Sequence, residues 1–162
     1  MSGPFAHLDA AGQARMVDVS GKTPTVRSAA AEGVVRCSSD VVASLREGSV
    51  PKGDVLAVAR VAGIAAAKRT PDLLPLAHTI GVHGVVLDVA VVDTGVRVEA
   101  EVRSADRTGV EMEALTAVSV ACLAVVDMVK GLDRSVEITD VRLLSKTGGR
   151  SGHWSRPGQD GS

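Results

Sequence analysis

Residues 107–130 read RTGVEMEALTAVSVACLAVVDMVK. Gly109 interrupts the strand-like residues before it, and from Val110 no Gly or Pro occurs until Gly131. Ala114, Leu115, Ala117, Ala121, Leu123 and Ala124 are good helix formers, so the stretch predicts a helix from about Val110 to Val129 that Gly131 stops. Glu111 and Glu113 in its first turn and Lys130 at its end suit the helix dipole. Leu115, Val118, Cys122, Val125 and Val129 form one apolar stripe. Glu113, Thr116, Val120, Leu123, Asp127 and Lys130 form a second, charged at both ends. Two apolar stripes predict that one face packs on a sheet and the other on something else, such as a second subunit.

Asp127 and Lys130, spaced i, i+3, share a helix face and can touch. A carboxylate beside an ammonium can move protons. The same spacing also describes an ordinary helical ion pair. The apolar neighbours Val125, Val126, Met128 and Val129 favour chemistry over decoration. Glu113 and Asp127 are separated by roughly 21 Å along the helix at about 1.5 Å per residue. One small substrate cannot be held by both from a single helix, whereas two antiparallel copies would bring Glu113 of one near Asp127 of the other.

The 162 residues fit one domain with loose ends: an arm over 1–20 expected to be mobile, a single α+β domain over 21–152, and a tail over 153–162 expected to be disordered. The chain is 45% hydrophobic, mostly Val, Ala and Leu, with one Phe, one Trp and no Tyr. So few aromatic platforms weigh against single-stranded nucleic-acid binding. A net charge of −1 leaves no global footprint for DNA or RNA. Cys37 and Cys122 lack a partner motif and read as reduced thiols of a cytoplasmic protein. Neither a signal peptide nor a membrane-spanning helix is expected.

In order, a loose hairpin is expected about Ala10–Gln13 and a strand over Thr25–Cys37. Ser38, Ser39 and Asp40 then offer N-caps for a short helix ending before Gly48. Asp54 caps a small-residue helix over Val55–Lys68, apolar nearly all round and therefore expected to be buried on most sides. Lys68 and Arg69 end it, either complementing the dipole or reaching an anion. Residues 71–83 read as a loop with one helical turn; His78 and His83 do not have metal-ligand spacing, and no zinc site is predicted. Gly84–Val92 and Val96–Val102 flank Asp93-Thr94-Gly95 as a hairpin, and Val136–Leu144 is the last strand. Arg97, Glu99, Glu101 and Arg103 alternate on one face, which is then wet or covered by a polar partner. The order of elements predicts an α+β, ferredoxin-like antiparallel sheet with helices on one face. Lys146, Gly148, Gly149 and Arg150 could approach an anion through backbone N–H groups and charge. With Lys52, Lys68, Arg69, Arg107 and Lys130 they supply cations for a phosphate-rich substrate, beside Glu113, Asp127 and His78 as titrating groups.

MVDVS at 16–20, KGDVLAVARVAGIAAAKRT at 52–70, LPLAH at 74–78, RTGVEMEALTAVSVA at 107–121, DMVK at 127–130 and KTGGRSG at 146–152 together resemble the cyclic pyranopterin monophosphate synthase (MoaC) family of molybdenum cofactor biosynthesis. The likeness spans about Leu8 to Gly152. It implies a phosphorus–oxygen lyase that converts 3′,8-cyclo-7,8-dihydro-GTP into cyclic pyranopterin monophosphate and releases diphosphate. It implies further a homohexamer, a trimer of dimers, with active sites at subunit contacts. On these motifs Asp127 is the catalytic residue and Lys130 assists it. Leu76, Ala77 and His78 with Met112 and Glu113 match substrate-binding segments, and Lys52 and Lys68 match basic residues of the pocket. No resident cofactor is implied; magnesium on the substrate phosphates could share the work, although the sequence shows no carboxylate cage for it. The chain departs from the family at Ala77, often Cys, and Thr79, often Pro, so no thiol is offered at 77. Two other classes fit the residues alone: a nucleotide-binding module without turnover, and another nucleotide triphosphate cyclase or hydrolase.

Overall fold

The computed structural model describes residues 7–158; the outermost parts of the arm and tail lie outside them. Strand β1 (Thr25–Arg36) is followed by helices α1 (Ser39–Glu47), α2 (Val55–Ala67) and the short α3 (Thr70–Leu73). Strands β2 (Val82–Val92) and β3 (Gly95–Asp106) lead to α4 (Glu111–Val129), then β4 (Glu137–Thr147) and β5 (Trp154–Ser155). The sheet order is β2-β3-β1-β4-β5 and every neighbouring pair is antiparallel. β1 and β2 therefore run parallel with β3 between them, the split arrangement expected of a ferredoxin-like α+β fold.

Local signals place these elements as read. Ser38 accepts a hydrogen bond from Val41 N at the start of α1, and Asp54 accepts one from Ala57 N at the start of α2. The β2–β3 hairpin turns through Asp93 and Thr94. Leu8 bridges Ala14 about the Ala10–Gln13 turn, where the Asp9 carboxylate accepts from Ala11 N and Gln13 N. Ala29, Ala31 and Val35 of β1 and Val96, Val98 and Val102 of β3 alternate toward α4 and are almost wholly buried. Arg97, Glu99, Glu101 and Arg103 stand on the other face, where Arg97–Glu99 and Arg103–Glu101 pair at 3.2 and 2.7 Å.

Helix α4 is long and apolar enough to cross a membrane by composition, but here it is the core helix, packed on the sheet beside α2. Val118, Cys122, Val125 and Val129 are fully buried, as the first stripe predicts; each such side chain stabilises by about 1.5–3 kcal/mol. Helix α2, within the same chain, covers a third face between the two stripes, while Leu123, Asp127 and Lys130 of the second stripe stay exposed. Ala59, Gly63, Ala66 and Ala67 are the buried residues of the α2 body, and buried Ala114, Ala117 and Ala121 of α4 form a small-residue seam with them. A Cβ at Gly63 would lie 2.4 Å from Leu87 Cδ2 and 2.8 Å from the Ala117 carbonyl oxygen. Gly63→Ala is therefore expected to cost about 1–3 kcal/mol, read as a lowered urea midpoint with an unchanged slope.

Two expectations need correction. Helix α2 is not buried on most sides: Val61 is 67% and Val58 44% exposed, since only one of its faces meets α4 and the sheet. The tail is ordered past residue 153, where Trp154 and Ser155 pair with Lys146 and Ser145. The turn at 148–152 reverses the chain, and Arg156 holds it there by donating to the Leu143 carbonyl at 2.7 Å while lying over the Trp154 ring. β4 also shifts register against β1 near Asp140, which takes a φ of 56°.

Candidate active site

The loop after α3 and the β3–α4 junction enclose a cavity of about 760 Å³, the size of a small-molecule site. Pro71 opens α3 in its first turn and Pro75 follows its end, so the chain leaves helical geometry just before Leu76, Ala77 and His78. These three line the cavity with Thr108, Gly109, Met112 and Glu113. His7 and Ala14 of the arm complete the wall. Five of the predicted binding residues thus meet in one place, although 76–78 and 112–113 lie far apart in the chain. His78 is anchored without a proline at 79, because its Nε2 lies 2.5 Å from the Val17 carbonyl oxygen.

Glu113 is only 3% exposed. Burial pushes its carboxyl above the ordinary glutamate range, against a lowering backbone hydrogen bond; Glu111 pushes it further up and His78 pulls it down. A buried carboxyl whose pKa is raised at an apolar wall is suited to donate or accept a proton. The shift has a consequence for stability. Because the folded state holds the proton more tightly than the unfolded chain, Glu113 favours folding at low pH. That contribution is lost as pH rises through the raised value. Glu113→Gln is expected to flatten this fall, so wild type should lose stability relative to the variant as pH rises past the ordinary carboxylate range, measured by urea titration at a series of pH values.

The other predicted pair lies at the opposite end of α4. Lys130 Nζ donates to Asp127 Oδ1 at 2.6 Å. Lys52 joins them, donating to the Asp127 carbonyl oxygen at 2.7 Å and lying 3.4 Å from Oδ2. The carbonyl belongs to the last turn of α4, where no intrahelical donor remains, so Lys52 caps the helix as well as pairing the side chain. Hydrogen bonds from Lys130 and Lys52 hold the Asp127 carboxyl below its usual range. All three side chains are about half exposed, and Leu123 beside them is 57% exposed. The apolar surroundings read from the sequence therefore do not enclose the pair within one chain. Glu113, counted on the same stripe, is instead covered.

Helix α2 runs antiparallel to α4: Lys52 before its start reaches Asp127, while Gly63 lies against Ala117 and Ala121. Lys68, at the far end of α2, is consequently carried toward the Glu113 end of α4, where it stays exposed and forms no ion pair among the described residues. Lys146 lies 3.6 Å from Glu111 Oε1 and donates to Ser151.

A separate basic recess was not read from the sequence. Lys22, Arg27 and Arg150 line it with Gly21, Thr23, Thr25 and Gly149, and no acidic residue is among them. Gly149 takes a φ of 73°, and a Cβ there would lie 2.3 Å from the Arg27 guanidinium, so a side chain at 149 would displace that cation. Arg150 was named from the tail motif, whereas Lys22 and Arg27 join it only through the pairing of β1 with β4. Among the described residues no group of three or more His, Cys, Asp or Glu is placed to hold a metal ion.

Residues 16–149 match the MoaC family. The chain belongs to that family. A relative from Streptomyces avermitilis is 62% identical over 152 residues, covering 94% of this chain and 89% of the relative. One from Nocardioides sp. is 58% identical over 156 residues, covering 94% and 96%. Both are named cyclic pyranopterin monophosphate synthase. A Mycobacterium tuberculosis protein named cyclic pyranopterin monophosphate synthase 2 is 54% identical, covering 96% of this chain and 93% of the relative. The family match contains every residue singled out for the site by its resemblance, from Lys52 to Lys130.

Proposed function

We propose that this chain is a cyclic pyranopterin monophosphate synthase of molybdenum cofactor biosynthesis, a lyase acting on 3′,8-cyclo-7,8-dihydro-GTP. Identity of 52–62% over most of the chain to relatives of that name carries the reading. Two features of the fold support it: a substrate-sized cavity with a buried carboxyl and an imidazole, and a carboxylate held between two lysines. Opening and rearranging the purine-derived ring needs proton transfers, for which Asp127 with Lys130 and Glu113 with His78 are the candidate groups. The ribose hydroxyl then attacks the innermost phosphorus; its P–O bond to the departing diphosphate breaks and a cyclic phosphate remains. Cations on the leaving diphosphate lower that barrier. Lys52 and Lys68, with the Lys22–Arg27–Arg150 recess, are the candidates. Magnesium, where it takes part, arrives on the substrate phosphates.

The catalytic unit in this reading is a homohexamer, a trimer of dimers, acting in the cytoplasm. Each active site joins the Glu113–His78 end of one chain to the Asp127–Lys130 end of another. The two ends are roughly 21 Å apart along one helix, and exposed Val58 and Val61 of α2 and Leu123 of α4 offer apolar surface for a second subunit to cover. Product analysis after mixing the protein with the cyclised dihydro-GTP is the direct test. Cyclic pyranopterin monophosphate and diphosphate are expected in equal amounts. Binding with full recovery of substrate would leave a binding module, and a different phosphate product another nucleotide cyclase or hydrolase.

A further inference from the structure

Val17 belongs to the arm, not to the domain that carries His78, yet its carbonyl oxygen is 2.5 Å from His78 Nε2. A carbonyl oxygen only accepts, so the contact is a hydrogen bond only when Nε2 carries the proton. In the neutral ring the lone pair then belongs to Nδ1. The arm folds back on itself before Val17 and is tied to the domain after it. Arg15 N donates to the His7 carbonyl, and Arg107 donates to the Lys22 carbonyl at 3.0 Å. Between these ties, residues 16–20 form one wall of a second recess whose other wall includes His78, Thr79, Asp106 and Arg107. The imidazole thus stands at the boundary of both recesses, held by backbone from one side.

We infer that the Val17 carbonyl is a positioning group for the reaction proposed above: it fixes His78 as the Nε2–H tautomer and makes Nδ1 its proton acceptor. The arm becomes part of the active site through its backbone, which is why no side-chain motif discloses it. The charged and titratable groups around the ring are Glu113 on α4, Asp106 at the end of β3 and Arg107 after it, and Asp18 and His7 on the arm. Asp106 is already committed, accepting from Gly81 N at 2.9 Å and Arg107 N at 2.7 Å. Glu113 faces the ring from α4, and the charge of His78 pulls the Glu113 carboxyl down.

The test separates this inference from the functional reading on which it rests. Nitrogen-15 NMR of histidine-labelled full-length protein, without substrate and at a pH where the ring is neutral, reports the tautomer; the His78 signals are assigned by their loss in His78→Gln. The Nε2–H tautomer is expected. A chain lacking residues 1–17, checked for folding by circular dichroism, should show both tautomers. Its kcat on the cyclised dihydro-GTP should fall about tenfold to a hundredfold, the scale of a misplaced catalytic group, with a smaller change in KM. A dominant Nδ1–H tautomer in the full-length protein overturns the inference whatever the truncated chain does. An unchanged tautomer with unchanged kcat in the truncated chain overturns it as well. Absence of turnover by the full-length protein counts against the functional reading alone, because the tautomer is measured without substrate.

Discussion

Lys130→Ala is expected to abolish product formation, lowering turnover by a factor on the order of 10²–10⁴, the usual weight of a positioned acid–base group. The protein should stay folded and assembled. Lys130 follows the last residue of α4 with its side chain 56% exposed, and its one side-chain partner among the described residues is Asp127 at 2.6 Å. Removing an exposed partner of this kind changes stability little. It changes the carboxylate more, since the Lys130 hydrogen bond is the largest cause holding Asp127 below its usual range. Lys52 remains, but from 3.4 Å. Turnover assays with circular dichroism on the same sample check the claim. Wild-type turnover would reduce Asp127–Lys130 to the ordinary helical ion pair that its spacing also allows.

Mixed oligomers of Glu113→Ala and Asp127→Ala are expected to regain a substantial part of the activity that each variant lacks alone. The argument is geometric. The two residues sit at opposite ends of α4, roughly 21 Å apart, one buried in the cavity wall and the other on open surface. If each site takes Glu113 from one chain and Asp127 from its neighbour, co-refolding creates some sites with both residues intact. Native mass spectrometry would confirm mixing. Mixed assemblies without recovered activity would mean that the two residues act from the same chain, or that one is outside the site.

Much of the fold is legible in local sequence because its signals are local. The run of helix formers from 110 to 129 contains neither Gly nor Pro, Ser38 and Asp54 cap their helices, and Asp93-Thr94 turns the hairpin. Alternation along β3 separates a buried face from a charged one, since successive strand residues point oppositely. Motif likeness also located five of the cavity-lining residues. The tertiary structure decided what depends on neighbours distant in the chain. Lys52 reaches Asp127 across 75 residues because α2 and α4 pack antiparallel on a seam of small side chains. Glu113 and Asp127 are both carboxylic residues on one helix, yet the first is buried beside the 74–78 loop and the second is half exposed between two lysines; burial raises the one pKa and the lysine hydrogen bonds lower the other. Lys22 and Arg27 meet Arg150 through strand pairing, and Val17 meets His78 through a backbone carbonyl. Residue type and spacing set the helices, strands and turns because those depend on near neighbours. The environment of each ionisable group is set by whatever the fold lays over it.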